Sequence, residues 1–284
     1  MDLARRSSWC CAGESGQLGF WALHKMFGTR YPEIMNAVAD LMRPEPSEPV
    51  RGLVLGCGDM VAEHVAFVHP STPRFDEIDA YDVSPASLDR AKSFVSEKGL
   101  RVQFHVADVN KLSLPENRYH LIVVFHAYHH FEQVDHITQQ INHSLAPGGV
   151  FYIWDYVGPC QLQFTARQLH YARTLLALLP PKYRRQLDGQ IRSTIECIPP
   201  HALSPDEAIC SDQILPAMDR HLRVVYQHNW AGILYPLLEG IAFNFSSSRE
   251  DQDLLRFLFD VDHALCRSGD VEPNFTMTLA MKRA

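Results

Sequence analysis

The sequence predicts an α/β fold, a parallel sheet with helices on both faces. Three observations predict it. The apolar run Leu53-Val54-Leu55 stops at Gly56-Cys57-Gly58, a second run stops at Ala80-Tyr81-Asp82, and Pro147-Gly148-Gly149 leads into the apolar run Val150-Phe151-Tyr152-Ile153-Trp154. Apolar runs that end at glycine or an acid and alternate with helical period read as βαβ units.

The elements follow in order. From Gly19 to Met42 the apolar positions Phe20, Trp21, Leu23, Met26, Phe27, Ile34, Val38 and Leu41 recur with helical spacing and predict one or two helices, closed by Pro44 and Pro46. After the strand ending at Asp82, Ser84 can cap a helix with Pro85 in its first turn, burying Leu88, Ala91 and Phe94 or Val95. A third strand runs from Val102 to Ala107 and ends in Asp108, and a fourth, Tyr119 to Phe125, runs into His126-Ala127-Tyr128-His129-His130. Beyond the fifth strand, Gly158-Pro159 breaks the pattern. Residues 162–195 then read as helices rich in Leu and Arg, interrupted at Pro180-Pro181. Ser204, Pro205 and Glu207 read as a capping box that opens a helix to about Met218. A sixth strand at Leu222 to Gln227, helices at Ile233 to Phe243 and Glu250 to Leu265, and a seventh strand at Phe275 to Met281 complete the chain.

Composition bounds the function. The 284 residues are 46% hydrophobic and 21% charged, as in ordinary globular proteins. No apolar run approaches the ~20 residues of a membrane span. Arg5 and Arg6 have no apolar core behind them, so a secretory leader is not expected. A net charge of −7 argues against a nucleic-acid footprint and for a small-molecule substrate. Seven cysteines without a C-x-x-C pair suggest neither a disulfide framework nor a zinc site, and fit a reducing, cytoplasmic setting. The oligomeric state stays open, a homodimer being one option.

Glycines at a strand end let a backbone approach a nucleotide-type cofactor, and Asp82 at the next strand end can accept both hydroxyls of a ribose. Met60 stands where a third small residue completes a dinucleotide fingerprint. The G-x-G turn, the acid ending the second strand, the Asp after the third and the L-x-P-G-G turn before the fifth together resemble the class I S-adenosylmethionine (SAM)-dependent methyltransferases, across roughly residues 50–156. The resemblance implies a seven-stranded Rossmann-like sheet, with N-terminal helices and helical insertions as a lid. It implies four segments: a helical cover (1–48), a SAM-binding core (49–157), a lid insertion (158–203), and a completion of the sheet (204–284) with an insertion at about 230–268. Gly56, Cys57 and Gly58 would face the methionine part of SAM and Asp82 the ribose. Val83 would pack on the adenine and Asp108, with Val109, would meet its amine, while Phe125 and His126 would lie beside the cofactor. The product would be S-adenosylhomocysteine. Members often carry an acid at the place of Val54 and glycine at that of Met60. Asp155 to Pro159, Pro205 to Ser211 and Ile214-Leu215-Pro216 further resemble a largely uncharacterised subgroup of bacterial methyltransferases associated with glycan or natural-product pathways.

Methyl transfer to a hydroxyl needs alignment and removal of a proton; transfer to an amine needs the neutral amine. His129, His130 and Asp155 are the candidate catalytic residues, because they follow the fourth and fifth strands and histidine titrates near neutrality. Tyr128, Tyr156, Gln163 and Trp230 are candidates to shape the substrate pocket, against simple core packing. Lys182, Arg184 and Arg185 either greet an acidic substrate or form a solvated helix face. His126, His129, His130 and His136 suggest a metal only weakly, since Glu132 and Asp135 bring no fixed geometry, and no metal is expected. The expected function is methyl transfer to an O or N nucleophile of a natural product, sugar or other metabolite. The alternative is a SAM-fold protein that does not methylate.

Overall fold

The computed structural model describes residues 31–45 and 48–283. The expected helix around Trp21 and the first part of the N-terminal cover lie outside these residues. The described residues divide into two compact units, one of residues 32–157, 208–228 and 276–283, the other of residues 158–207 and 229–275.

In the first unit, α1 (Tyr31–Leu41) buries Ile34, Met35 and Val38. β1 (Arg51–Leu55), α2 (His64–Val68), β2 (Glu77–Asp82), α3 (Pro85–Ser96) and β3 (Val102–Val106) follow. The Ser84 hydroxyl accepts the Ser87 N–H at 3.2 Å and Pro85 opens the helix, so cap and first turn are set by local sequence. Of the two candidate stripe residues, Val95 is the buried one. β4 (Tyr119–Phe125), α4 (Val134–Ser144) and β5 (Leu145–Tyr156) complete the centre. α6 (Ile214–His221), which packs beside α4, follows the second unit's α5 (Ala166–Leu178) in the chain. β6 (Leu222–Trp230), α7 (Leu234–Leu238), α8 (Arg249–Ser268) and β7 (Phe275–Lys282) are the remaining elements.

The strands form one seven-stranded sheet in the order β3-β2-β1-β4-β5-β7-β6, with β1 through β5 pairing in parallel. The order reverses between β1 and β4, the point at which open α/β sheets bind ligands. The core lies on the sheet, where Leu53, Leu55, Ile122, Val124, Phe151 and Ile153 meet α4 and α6 through Ile137, Ile141, Ala217 and Met218. β5 starts earlier than expected, at Leu145, and its register against β4 shifts between Tyr119 and Leu121. Gly149 permits this, because a Cβ there would stand 2.7 Å from the Tyr119 carbonyl oxygen.

In the second unit, the Thr165 hydroxyl and the Gln168 side chain cap α5 reciprocally. α7 is short, and Asp262 of α8 accepts the N–H groups of Ala231, Ile233 and Leu234 at 2.7, 2.8 and 3.1 Å, fixing the turn that enters it. Two expectations are corrected. Residues 185–199 are a short hairpin followed by irregular chain rather than helix, because Pro180-Pro181 ends α5 and Gly189 turns the hairpin bridged at Arg185 and Ile191. The Ser204 capping box is a turn, not a helix start. Ala208 takes φ +51°, which interrupts helical geometry, and α6 starts only at Ile214.

Candidate active site

The site of the first unit is built at the ends of β1, β2, β4 and β5. After Leu55 the chain turns back, and the N–H groups of Gly56 and Cys57 both donate to the Tyr81 carbonyl, at 2.9 and 3.0 Å. Gly56 has φ +66°, and a Cβ there would stand 2.5 Å from the Ala127 Cβ, so glycine is required by both conformation and space. Met60 adopts φ +60° with its side chain fully buried, a left-handed residue held by packing where glycine would fit without strain.

Asp82, at the end of β2, joins the two strand ends. One carboxylate oxygen accepts the Gly58 N–H at 2.8 Å and the other the Ser84 N–H at 2.8 Å. Each oxygen keeps a further lone pair, so the carboxylate can still accept two hydroxyls. Val83 beside it is 63% exposed, an apolar surface next to a carboxylate. Asp108 caps the short turn Val109–Lys111, accepting from Asn110 and from Lys111, whose hydrogen bond draws its carboxyl below the usual range. Val109 is buried in the core.

Glu63, not singled out from sequence, belongs to this loop. It is 5% exposed, and burial, aided by Asp59 and Asp82, pushes its carboxyl up to about 8. Its position became recognisable only with the folded loop. The Cys57 thiol is raised chiefly by burial and then by Asp82 and Glu63, which removes it as a nucleophile at neutral pH.

At the end of β4, Phe125 packs edge-on against Tyr152, and His126 takes φ +50° with its ring 4.7 Å from that of Trp154. Pairing of Phe125 with Trp154 sets Asp155 beneath the turn that follows. Asp155 is 0% exposed and accepts the N–H groups of Ala127 and Tyr128 on one oxygen, at 2.8 and 2.7 Å. Its other oxygen takes the Tyr156 N–H at 2.7 Å and His129 Nδ1 at 2.5 Å. Burial alone would raise this carboxyl; the charge and hydrogen bond of His129, with His126 and the Tyr128 N–H, hold it below the usual carboxylate range. Asp155 thus holds the His129 ring through Nδ1. The bond at Nδ1 makes Nε2 the basic nitrogen of the neutral ring.

The His130 ring lies 4.0 Å from that of His129, and Tyr156 stands edge-on to His129 at 6.3 Å. Tyr128 is not brought into this group: its side chain is fully buried and its hydroxyl meets Thr138 Oγ1 at 2.6 Å. His136 bonds the Leu112 carbonyl through Nε2 at 3.0 Å. Gln163 and Trp230 belong to the second unit. There Gln163 donates to the Gln161 and Ile198 carbonyls at 2.8 Å, and Trp230 stacks on Phe275. No helix among the described residues is long and apolar enough to cross a membrane.

Solved structures share the fold. A geranyl diphosphate methyltransferase solved with SAM superposes with a TM-score of 0.51 at 11% identity, over 99% of this chain and 95% of that one. A SAM-dependent methyltransferase from Mesorhizobium loti gives 0.46 at 17% identity, over 86% and 95%. The cyclase SpnF gives 0.48 at 15%, over 89% and 82%. No curated protein matches in sequence. Residues 53–149 match the family described as methyltransferase domain, and the span includes the glycine loop, Asp82, Asp108 and the start of β5. Residues 53–149 thus match a methyltransferase domain, and they lie within a seven-stranded sheet of order β3-β2-β1-β4-β5-β7-β6.

Proposed function

We propose that the chain binds SAM along this sheet edge and transfers its methyl group to an oxygen or nitrogen of a small molecule, with His129 as general base. The observation that carries the reading is the shared edge itself. The adjacent strands β2, β1, β4 and β5 end in Asp82, the glycine loop, the His129 turn and Asp155. The donor set fits the cofactor. Nothing stands within 4 Å of a Cβ at Gly58, Asp82 keeps acceptor capacity for a diol, and Val83 offers an apolar face. When bound, SAM supplies a methyl group on a good neutral leaving group.

The protein's part is alignment and proton removal. Asp155 orients His129 and stabilises its protonated form, so Nε2 can take the proton of an acceptor hydroxyl. The resemblance to glycan- and natural-product-associated enzymes favours such metabolites as acceptors.

The test is incubation of the chain with methyl-labelled SAM and a panel of hydroxylated and amine metabolites. A methylated product is expected. His129→Ala should lower its formation by about 10²–10⁴-fold and leave SAM affinity unchanged, with a smaller loss for His130→Ala. Equal turnover in both variants would point to an amine acceptor and no base. SAM binding with no product from any acceptor would favour the non-methylating alternative.

A further inference from the structure

The geometry of the cofactor edge leaves one acid without a task. Three carboxylates lie about the glycine loop, and the charges of Asp82, Glu63 and Asp59 all reach the Cys57 thiol. Two of them are engaged. Asp82 accepts the Gly58 and Ser84 N–H groups, and the exposed Asp59 accepts the Val61 N–H at 3.3 Å. Glu63 is the buried one, and it stands at the cap position of α2 without making a capping bond.

No lysine, arginine or histidine among the described residues pairs with Glu63. The groups that face its carboxyl are the N–H groups of Ala62 and Glu63, the carboxyls of Asp59 and Asp82, and the Cys57 thiol. His64, next in the chain, bonds the Val61 carbonyl through Nδ1 at 2.7 Å and sets its ring edge-on to Phe94. A buried carboxyl without a cation costs stability, and an apolar side chain would fill its place without that cost. Burial first, then Asp59 and Asp82, favour the neutral carboxyl, whereas a cation beside it favours the charged form. Three acids and, among the described residues, no base between them suit a cationic ligand. Gly58 leaves room for one, since nothing stands within 4 Å of a Cβ there.

We propose that Glu63 binds the α-ammonium group of the cofactor and so selects a ligand that carries an amino-acid end. The inference rests on the SAM reading above and adds to it the residue that recognises this end. SAM has two cationic groups, a sulfonium and an ammonium, and its methionine part would lie at the glycine loop beside Glu63. Asp82 then holds the ribose and Glu63 the ammonium, so two acids of one loop fix the cofactor at two points.

The experiment is isothermal titration of the full chain and of Glu63→Gln with two ligands. One is S-adenosylhomocysteine; the other is its deaminated analogue, in which hydrogen replaces the amino group. The parent should prefer S-adenosylhomocysteine by about tenfold or more, the worth of a hydrogen bond between charged groups. Glu63→Gln should bind the two within about twofold of each other. Without ligand, at about pH 7.5, it should melt at the parent's temperature or above. A variant that keeps the parent's preference would overturn the proposal and leave the SAM reading standing, as would a parent that binds both ligands equally. A variant that melts lower, or that binds neither ligand, would also overturn it, by showing that Glu63 shapes the loop itself. No binding of S-adenosylhomocysteine by the parent would overturn the SAM reading, and this proposal with it.

Discussion

Asp155 Oδ1 lies 2.5 Å from His129 Nδ1, and the same carboxylate closes the turn after β4 by accepting the N–H groups of Ala127 and Tyr128, and takes the Tyr156 N–H at the end of its own strand. One buried charge therefore does two things. It shapes the backbone that carries the histidine, and it selects which nitrogen of that histidine is basic.

Removing it should be costly. Asp155→Ala leaves three buried N–H donors and one histidine without their acceptor, so stability should fall by about 3–5 kcal/mol, a loss typical of breaking a buried hydrogen-bonded pair. Denaturant unfolding measures this. A loss under about 1 kcal/mol would mean that the turn is held by other contacts.

Glu63 makes a pH prediction. Its folded carboxyl, at about 8, lies above the ordinary 4.5, so the folded state binds a proton that the unfolded state has lost. Stability from this group is complete below about pH 4.5 and declines as pH rises toward about 8. Glu63→Gln should remove that slope and gain most over the parent at the alkaline end. Parallel melting curves of parent and variant from pH 5 to pH 8.5 would contradict the assignment.

Gly56→Ala places a Cβ 2.5 Å from that of Ala127 at φ +66°. Both the backbone and the neighbouring turn must give way, so the variant should lose about 1–3 kcal/mol of stability and bind SAM more weakly. Gly99→Ala is the control, with φ +68° but open space around it. Equal losses in the two variants would assign the effect to backbone strain alone.

Legibility from sequence followed locality. Ser84-Pro85 and the α3 stripe were readable because cap, first turn and buried face lie within a few residues. The glycine loop and Asp82 were readable because strand ends carry them. The role of Asp155 depends on the register of β5 against β4, which no local pattern encodes, and Tyr128 looked like a pocket residue until the fold buried it. The Ser204 segment carries a capping signal that the positive φ at Ala208 overrides. The hairpin that bridges Arg185 to Ile191 lies in a stretch whose Leu- and Arg-rich composition reads as helix.

The central claim is that this sheet edge holds SAM through Asp82 and the glycine loop. Isothermal titration of the chain with SAM tests it most directly, with Asp82→Ala measured alongside. Saturable binding is predicted, weakened in the variant by about 1.5–3 kcal/mol through the lost charge-assisted hydrogen bonds. A melting temperature for Asp82→Ala near the parent's would show the loss to be one of contact rather than of fold. No binding by the parent chain, or the same affinity in Asp82→Ala, would contradict the account.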